Sequence, residues 1–539
     1  MNKRIYNIMF HTHTISGIII SALLFIIFFA GSIAFLRDEI NAWERNEPIS
    51  ESYFEQEDFD LVFDSLDNKY GLYGRDISLT QFYHEKRINT SLSASKDTTS
   101  IEKNSGRAFF YTNLANQKTY DYRNNYSLGE FFYRLHFFAQ LNLYGRSGYL
   151  ISGFVAFFFL FVVLTGVIVH WNKIVSSFYV FRPKAKWKTL WTDAHVGLGL
   201  IGLPYQFMFA VTGAYLIIGY TVMLEPVKSI LYDGDADKMS KDAYYSYQSD
   251  FEFTGKKLTK DFSLNDYVRQ TKERWENFRI NQLEIFNYGD ENMHIKVKGA
   301  YDYGTKFLGS GHMVYRASDN KVIDVKDPSD RTTYLEGAAN TIQRLHYGDF
   351  GGYGMKIIYF ILGLVSCFVI LSGVMIWLVA RNKKNVPERK KKFNTWLVRI
   401  YLSICLSMYP ITAITFIAVK LFSENYTGTN MEFIYKVFFW GWLAMSALLL
   451  IKRDNYFTNK ICLFLGAIFG FLVPISNGIT TGNWPWISFA KGYSQIFVVD
   501  IFWLVLSITA LLVTLKLKRR EEANKPIKKG AMKTQIVAT

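Results

Sequence analysis

Apolar and polar positions first separate on a coarse scale. Eight long apolar runs, at 14–36, 147–170, 195–219, 355–379, 397–421, 432–451, 461–477 and 494–515, interrupt an otherwise polar chain. A helix needs about 20 apolar residues to cross a hydrocarbon core ~30 Å thick, so each run predicts a spanning helix. The first run is followed by Phe35-Leu36-Arg37-Asp38-Glu39 without a small-x-small cleavage pattern, and it reads as a retained span. The implied segments are span one at 1–36, a polar segment at 37–146, span two at 147–171 and a basic loop at 172–194. Span three at 195–219, a polar segment at 220–354, span four at 355–380 and a basic loop at 381–396 follow. Spans five to eight occupy 397–515, and a basic tail covers 516–539.

Within the two long polar segments the pattern becomes finer. Phe109-Phe110-Tyr111 with Asn116–Asp121, and Met313-Val314-Tyr315 with Asn320–Asp324, alternate like hairpins. Leu283–Phe286 and His294–Val297 predict another, turned by Asn287–Asn292. Asp58–Asn68 and Leu264–Phe278 carry helical periodicity ahead of these strands. Each segment therefore reads as a small α+β unit. The fold class is an all-α membrane bundle of eight helices with two α+β domains inserted.

Charge then orients the bundle. Basic residues flank every even-numbered gap: Lys3 and Arg4, the clusters within 173–188 and 381–392, Lys452 to Lys460, and Lys516 to Arg520. By the positive-inside rule both termini are cytoplasmic and both inserted domains lie outside. The net charge of +15 is thus topological, and nucleic-acid binding is disfavoured because the basic runs are juxtamembrane. All three cysteines, Cys367, Cys405 and Cys462, fall inside spans, which excludes a disulfide framework in the inserted domains.

An internal repeat reorganises this picture. His13-x3-Gly17 opens span one and His195-x3-Gly199 opens span three; Gly31 and Gly213 follow at the same offset. Arg134-Leu135-His136 precedes span two, and Arg344-Leu345-His346 precedes span four. Spans two and four close on Leu164-Thr165-Gly166 and Leu371-Ser372-Gly373. Residues 1–171 and 190–378 are two parallel copies of span, outside domain, span.

Histidine is costly near lipid unless it is partnered, so each placement is a functional candidate. His13, His170 and His195 fall at the cytoplasmic face; His136 and His346 fall at the outer face. One histidine from each side of a porphyrin is what a bis-histidine haem requires, and facing helices of a bundle supply such pairs. His13 with His195, and His136 with His346, are the candidate ligands of two haems, with His170 as the alternative to His13. Gly17 and Gly199, one turn from the cytoplasmic histidines, would clear space for the macrocycle. Arg134 and Arg344 would pair with propionates, and Asp193 would orient His195. His11 faces away from His13, and His84, His294 and His312 have no evident partner. An ordinary polar histidine at a helix end and plain small-residue helix packing are the bland alternatives; the matched pairs weigh against them. His136 lies about ten residues before span two, too far for a straight helix, so Leu128–Leu141 is expected to fold back into the bundle through the glycine-rich turns.

Thr165–His170, Phe181-Arg182-Pro183, Asp193-Ala194-His195 and Leu345-His346 with its following glycines resemble the PepSY-associated transmembrane family over residues 5–380. That family includes iron-regulated inner-membrane proteins and ferric-siderophore reductases. The resemblance implies a four-helix core with two b-type haems, PepSY-like periplasmic domains, a bacterial inner-membrane location and electron transfer to ferric iron outside the cytoplasm. It matches the family's histidines at His13, His136, His170, His195 and His346.

One haem near each face would make the membrane a wire ending at a ferric siderophore or other periplasmic ferric chelate. No G-x-G-x-x-G opens a βαβ unit, and the cytoplasmic loops are too short for a nucleotide-binding domain. The donor is therefore expected to be membrane quinol or a separate reductase. The rival readings are a transporter in iron uptake and a non-enzymatic binding or regulatory membrane protein. Spans nearly free of acidic residues weaken the transporter.

Overall fold

The computed structural model describes residues 2–49, 53–98, 106–236, 238–240, 251–303, 305–330 and 332–519. The end of the basic tail lies outside the described residues. Among the described residues, eight helices are long and apolar enough to cross a membrane: Lys3–Ala34, Ser147–His170, Leu203–Leu231, Asp349–Arg381, Glu388–Asn425, Asn430–Lys452, Asn455–Thr481 and Ser494–Lys516. They coincide with the eight apolar runs. The third differs in detail, because His195 lies on a preceding helix, Trp187–Ile201, that meets the span at Gly202. Pro410 and Pro474 sit inside the fifth and seventh helices, where neighbouring helices can satisfy the freed carbonyls.

Spans one to four form a ring. Span one packs on spans two and four, span two packs on span three, and helix Trp187–Ile201 packs on span four. Spans one and three, and spans two and four, are therefore diagonal. Spans five to eight form a second bundle, in which span five packs on seven and six, and seven packs on eight. One continuous apolar core joins the two bundles, running from Phe25 and Phe29 through Cys367 to Cys405, Phe416 and Trp503.

The two inserted segments do not build separate units. Each contributes four strands to one eight-stranded antiparallel sheet, ordered β4-β3-β2-β1-β5-β6-β7-β8. The strands are β1 (Ile77–Thr80), β2 (Arg87–Leu92), β3 (Ala108–Asn113), β4 (Thr119–Tyr120), β5 (Phe278–Phe286), β6 (His294–Tyr301), β7 (Gly311–Arg316) and β8 (Lys321–Lys326). The seam is β1 against β5, with Ile77 opposite Ile285 and Leu79 opposite Leu283. Pairing these central strands removes two open edges, a recognised liability in small sheets. Helices Phe59–Tyr70 and Leu264–Arg274 share the core of this sheet; Phe63 and Leu66 from one, and Tyr267 and Val268 from the other, are buried with Leu79 and Leu283.

Two short helices connect sheet and bundle. Arg37–Arg45 follows span one, and Leu128–His136 packs back on span one before span two begins. This is the expected fold-back. Phe138 adopts a left-handed φ of 55° and Gly145 one of 59°, so the chain reverses within a few residues. A Cβ at Gly148 would lie 1.9 Å from the Phe138 carbonyl oxygen, which makes glycine obligatory there. In the second copy, helix Tyr334–Tyr347 ends at Gly348, φ 65°, before span four.

Candidate functional site

The structure brings the four matched histidines together as two pairs. The rings of His13 and His195 have centres 6.2 Å apart, and those of His136 and His346 are 6.0 Å apart. Two imidazole nitrogens each about 2 Å from a metal lying between them leave ring centres roughly 6 Å apart. The His136–His346 pair lies at the sheet end of the ring of spans, and the His13–His195 pair at the opposite end. Span one touches both, at His13 and at Gly31, points separated by roughly 27 Å of helix at 1.5 Å per residue.

The hydrogen bonds fix the tautomer of every ring. His13 Nδ1 lies 2.9 Å from the Val162 carbonyl, and His195 Nδ1 lies 2.9 Å from the Val369 carbonyl. His136 Nδ1 lies 2.8 Å from the Ile27 carbonyl. A carbonyl only accepts, so each Nδ1 donates. His346 Nδ1 lies 2.8 Å from Thr212 Oγ1. That hydroxyl already donates to the Met208 carbonyl, so it accepts from the imidazole. In a neutral imidazole this leaves Nε2 with its lone pair, the arrangement that metal-ligating histidines use. Val162 and Val369 are equivalent positions of the repeat. Ala30 stands where the second copy has Thr212, which explains why His136 turns to a backbone carbonyl instead.

Glycines admit these rings. A Cβ at Gly31 would lie 2.5 Å from His136 Nδ1; at Gly166 it would lie 3.1 Å from His13 Cε1, and at Gly373 3.2 Å from His195 Cε1. These positions mark the repeat in the sequence, but their contact with the histidines was not legible there. The signal was available: a small residue recurring at matched depth in two apolar runs. Gly17 and Gly199 play a different part. A Cβ there would make ordinary van der Waals contact with Val162 or Val369, each at 3.9 Å, rather than press on a histidine ring.

At the sheet end the pair opens on a cavity of about 1380 Å³, lined by both histidines, both repeat arginines and the rim of the sheet at Gln81 to His84 and Asn281. Arg134 and Arg344 face it, but neither is an uncompensated charge. Arg134 Nε donates to Glu130 Oε1 at 2.6 Å and Nη1 to the Tyr149 hydroxyl at 3.2 Å. Arg344 pairs with Asp349, and its guanidinium lies 4.1 Å from the centre of the Tyr303 ring. Arg37, which sequence inspection passed over, also lines the cavity. It is buried between Glu130 at 2.8 Å and Glu85 at 3.4 Å, with its guanidinium 3.4 Å from the Tyr83 ring centre.

One further expectation resolves otherwise. Asp193 does not orient His195; it accepts from Arg182 Nε at 2.9 Å and Nη2 at 2.7 Å, tying the basic loop to helix Trp187–Ile201. His195 has His13 as its ring neighbour, and His170, the alternative to His13, ends span two within electrostatic reach of both. His11 is exposed and rests edge-on against Phe10. His294 stacks on Phe251 and His312 bonds to Asp324 Oδ2 at 2.7 Å, both inside the sheet domain.

A repeated ring of four spans with a histidine pair at each end defines a class: multi-pass membrane proteins whose internal repeat places paired histidines inside an apolar bundle. The sequence model of the PepSY-associated TM region matches residues 10–380, and the chain belongs to that family. It is also similar to the uncharacterized protein PA4219 of Pseudomonas aeruginosa, 21% identical over 306 residues, which cover 54% of this chain and 73% of that protein.

Proposed function

We propose that this protein carries electrons across the bacterial inner membrane through two b-type haems and reduces a ferric chelate, such as a ferric siderophore, on the side of the sheet. The observation that carries this reading is the doubled histidine pair, with ring centres 6.0 and 6.2 Å apart and every Nδ1 engaged by a hydrogen-bond partner on a span. The positive-inside pattern supports placing the sheet in the periplasm and both termini in the cytoplasm.

The residues fit such a group. His13 and His195 would hold one iron and His136 and His346 the other, each ring fixed in orientation by its Nδ1 bond. Gly17 and Gly199 present no side chain one turn from the histidines of the first pair, and the large cavity leaves room beside the second. Bound haem supplies a one-electron couple in a dry interior. Arg134 and Arg344 line the cavity, where propionates would be met. Their carboxylate partners limit the cost of burying them when no anion is present. The rim of the sheet shapes the opening through which a chelate would approach. Electrons enter from membrane quinol or a separate reductase.

Reduced-minus-oxidised absorbance with a haem-to-protein ratio tests this. Two haems per chain are expected, and a His136→Ala, His346→Ala double variant should retain one. Absence of a b-type signal, or two haems persisting in the double variant, would overturn the haem reading. Failure of ferric chelates to reoxidise the dithionite-reduced protein would overturn the reductase reading alone.

A further inference from the structure

The last four spans lie outside the family match, and the electron path makes no use of them. Their contacts converge on one place. Trp43, on helix Arg37–Arg45, is fully buried and donates from Nε1 to Asp500 Oδ1 of span eight at 2.8 Å. Asp500 Oδ2 accepts from Asn477 Nδ2 of span seven at 3.0 Å. Lys420 of span five donates to the Trp43 and Glu44 carbonyls, placing a cation at the C-terminus of that helix, where its dipole favours one. Asn483 Nδ2 reaches Asn46 Oδ1 at 2.7 Å, and Gln495 Oε1 accepts from the Ile49 N–H at 3.0 Å. A buried aspartate and a half-buried lysine in apolar spans are expensive and call for a role.

Helix Arg37–Arg45 in turn holds the helix that bears His136. Glu44 Oε2 accepts from the Leu128 N–H at 2.6 Å, while Glu44 Oε1 accepts from Asn430 Nδ2 of span six at 2.8 Å. A Cβ at Gly129 would lie 2.4 Å from the Arg37 carbonyl oxygen, so the two helices touch backbone to backbone. On its other side, Phe131 and Phe132 pack on Phe438 and Phe416, at ring-centre distances of 4.8 and 6.2 Å.

The repeat supplies the comparison. At the offset of the repeat the counterpart of Arg37–Arg45 is 219–227, inside the continuous third span Leu203–Leu231, and none of those residues is buried. The helix bearing His346 is instead tied to the sheet, through Lys326 Nζ of β8 donating to Glu336 Oε1 at 2.7 Å. The helix bearing His136 is thus anchored to spans five to eight in addition to the bonds of Asn41 and Arg45 to Glu85 between β1 and β2, whereas the tie of the helix bearing His346 is to β8.

We propose that spans five to eight are a brace that fixes His136, with Trp43 and Glu44 as positioning residues that transmit it. The brace is a property of the chain; its meaning for electron transfer rests on the proposed ligation by His136. Losing a buried hydrogen bond to a charged group costs about 1.5–3 kcal/mol, which corresponds to tenfold or more in a local opening equilibrium.

Hydrogen exchange of the full-length protein tests it, in Trp43→Phe, which keeps the ring packing, and in Glu44→Gln, the milder change. Exchange at 128–136 should rise on the order of tenfold, while 334–347 stays at its wild-type rate. In the same samples one of two low-spin haem signals should shift and the other stay fixed, a split that general destabilisation would not produce. Unchanged exchange at 128–136 in both variants, or an equal rise in both helices, would overturn the brace. Faster exchange confined to 128–136 with neither haem signal moved would keep the brace and overturn ligation by His136.

Discussion

Gly31 and Gly213 are equivalent in the repeat but not in their surroundings. A Cβ at Gly31 would sit 2.5 Å from His136 Nδ1, whereas at Gly213 the nearest atom of His346 is 3.8 Å away. The first contact must push the imidazole off its bond to Ile27; the second is ordinary van der Waals contact. Overpacking of this kind costs about 1–3 kcal/mol, spent here on displacing one ring. Gly31→Ala should therefore lose or shift the haem signal of the sheet-end pair, and Gly213→Ala should leave it near wild type, as read by reduced-minus-oxidised spectra. Equal behaviour of the two variants would contradict the geometry. Which histidines pair was legible in the sequence, because each histidine recurs at a fixed offset from a span. What was not legible is the bond that orients each ring, since three of the four partners are backbone carbonyls and carry no sequence signal.

At the scale of elements, the helix Leu128–His136 is held by charge as well as by the brace. Glu130 is buried between Arg37 and Arg134. Burial by itself raises its pKa, but the two guanidinium groups overcome this and hold the carboxyl below the ordinary glutamate range. A carboxyl depressed in the folded state contributes stability above its unfolded pKa of about 4.3, and that contribution fades as pH falls through the lower folded value. Glu130→Gln should lower thermal stability at neutral pH by about 1.5–3 kcal/mol, the range for a hydrogen bond to a charged group. The gap between variant and wild type should begin to narrow as pH falls below about 4.3 and close only beneath the lower folded value. A constant gap between the two across pH would show that Glu130 contributes through packing alone. The glutamate is unpredictable from the repeat, because Asn340 stands at its place in the second copy. The fold-back that presents this helix was foreseen from its glycines, but the sharp reversal at Phe138, a non-glycine residue in left-handed geometry, was not.

At the scale of the molecule, the β1–β5 seam turns two repeats into one body. Ser78 faces Glu284 and Leu79 faces Leu283 across it, so the segments between spans one and two and between spans three and four must lie on the same side of the bundle. Their alternation was visible strand by strand, yet the seam was not, because β1 is a strand of four residues with a weak pattern and its partner lies in the other repeat. The seam sharpens the orientation argument: a single side assignment now fixes the whole sheet, and the basic loops at 172–194 and 381–396 must lie on the other side. All three native thiols are buried, so introduced cysteines can report sidedness against a quiet background. Lys321, with an exposed side chain at the start of β8, and Lys384, exposed in the loop after span four, are suitable positions. A membrane-impermeant maleimide applied to intact spheroplasts should label Lys321→Cys and should label Lys384→Cys only after lysis. The reverse pattern would put the sheet in the cytoplasm, leaving the cavity at His136 and His346 without access to a periplasmic chelate. It would overturn the proposed direction of electron flow while leaving both histidine pairs as they stand.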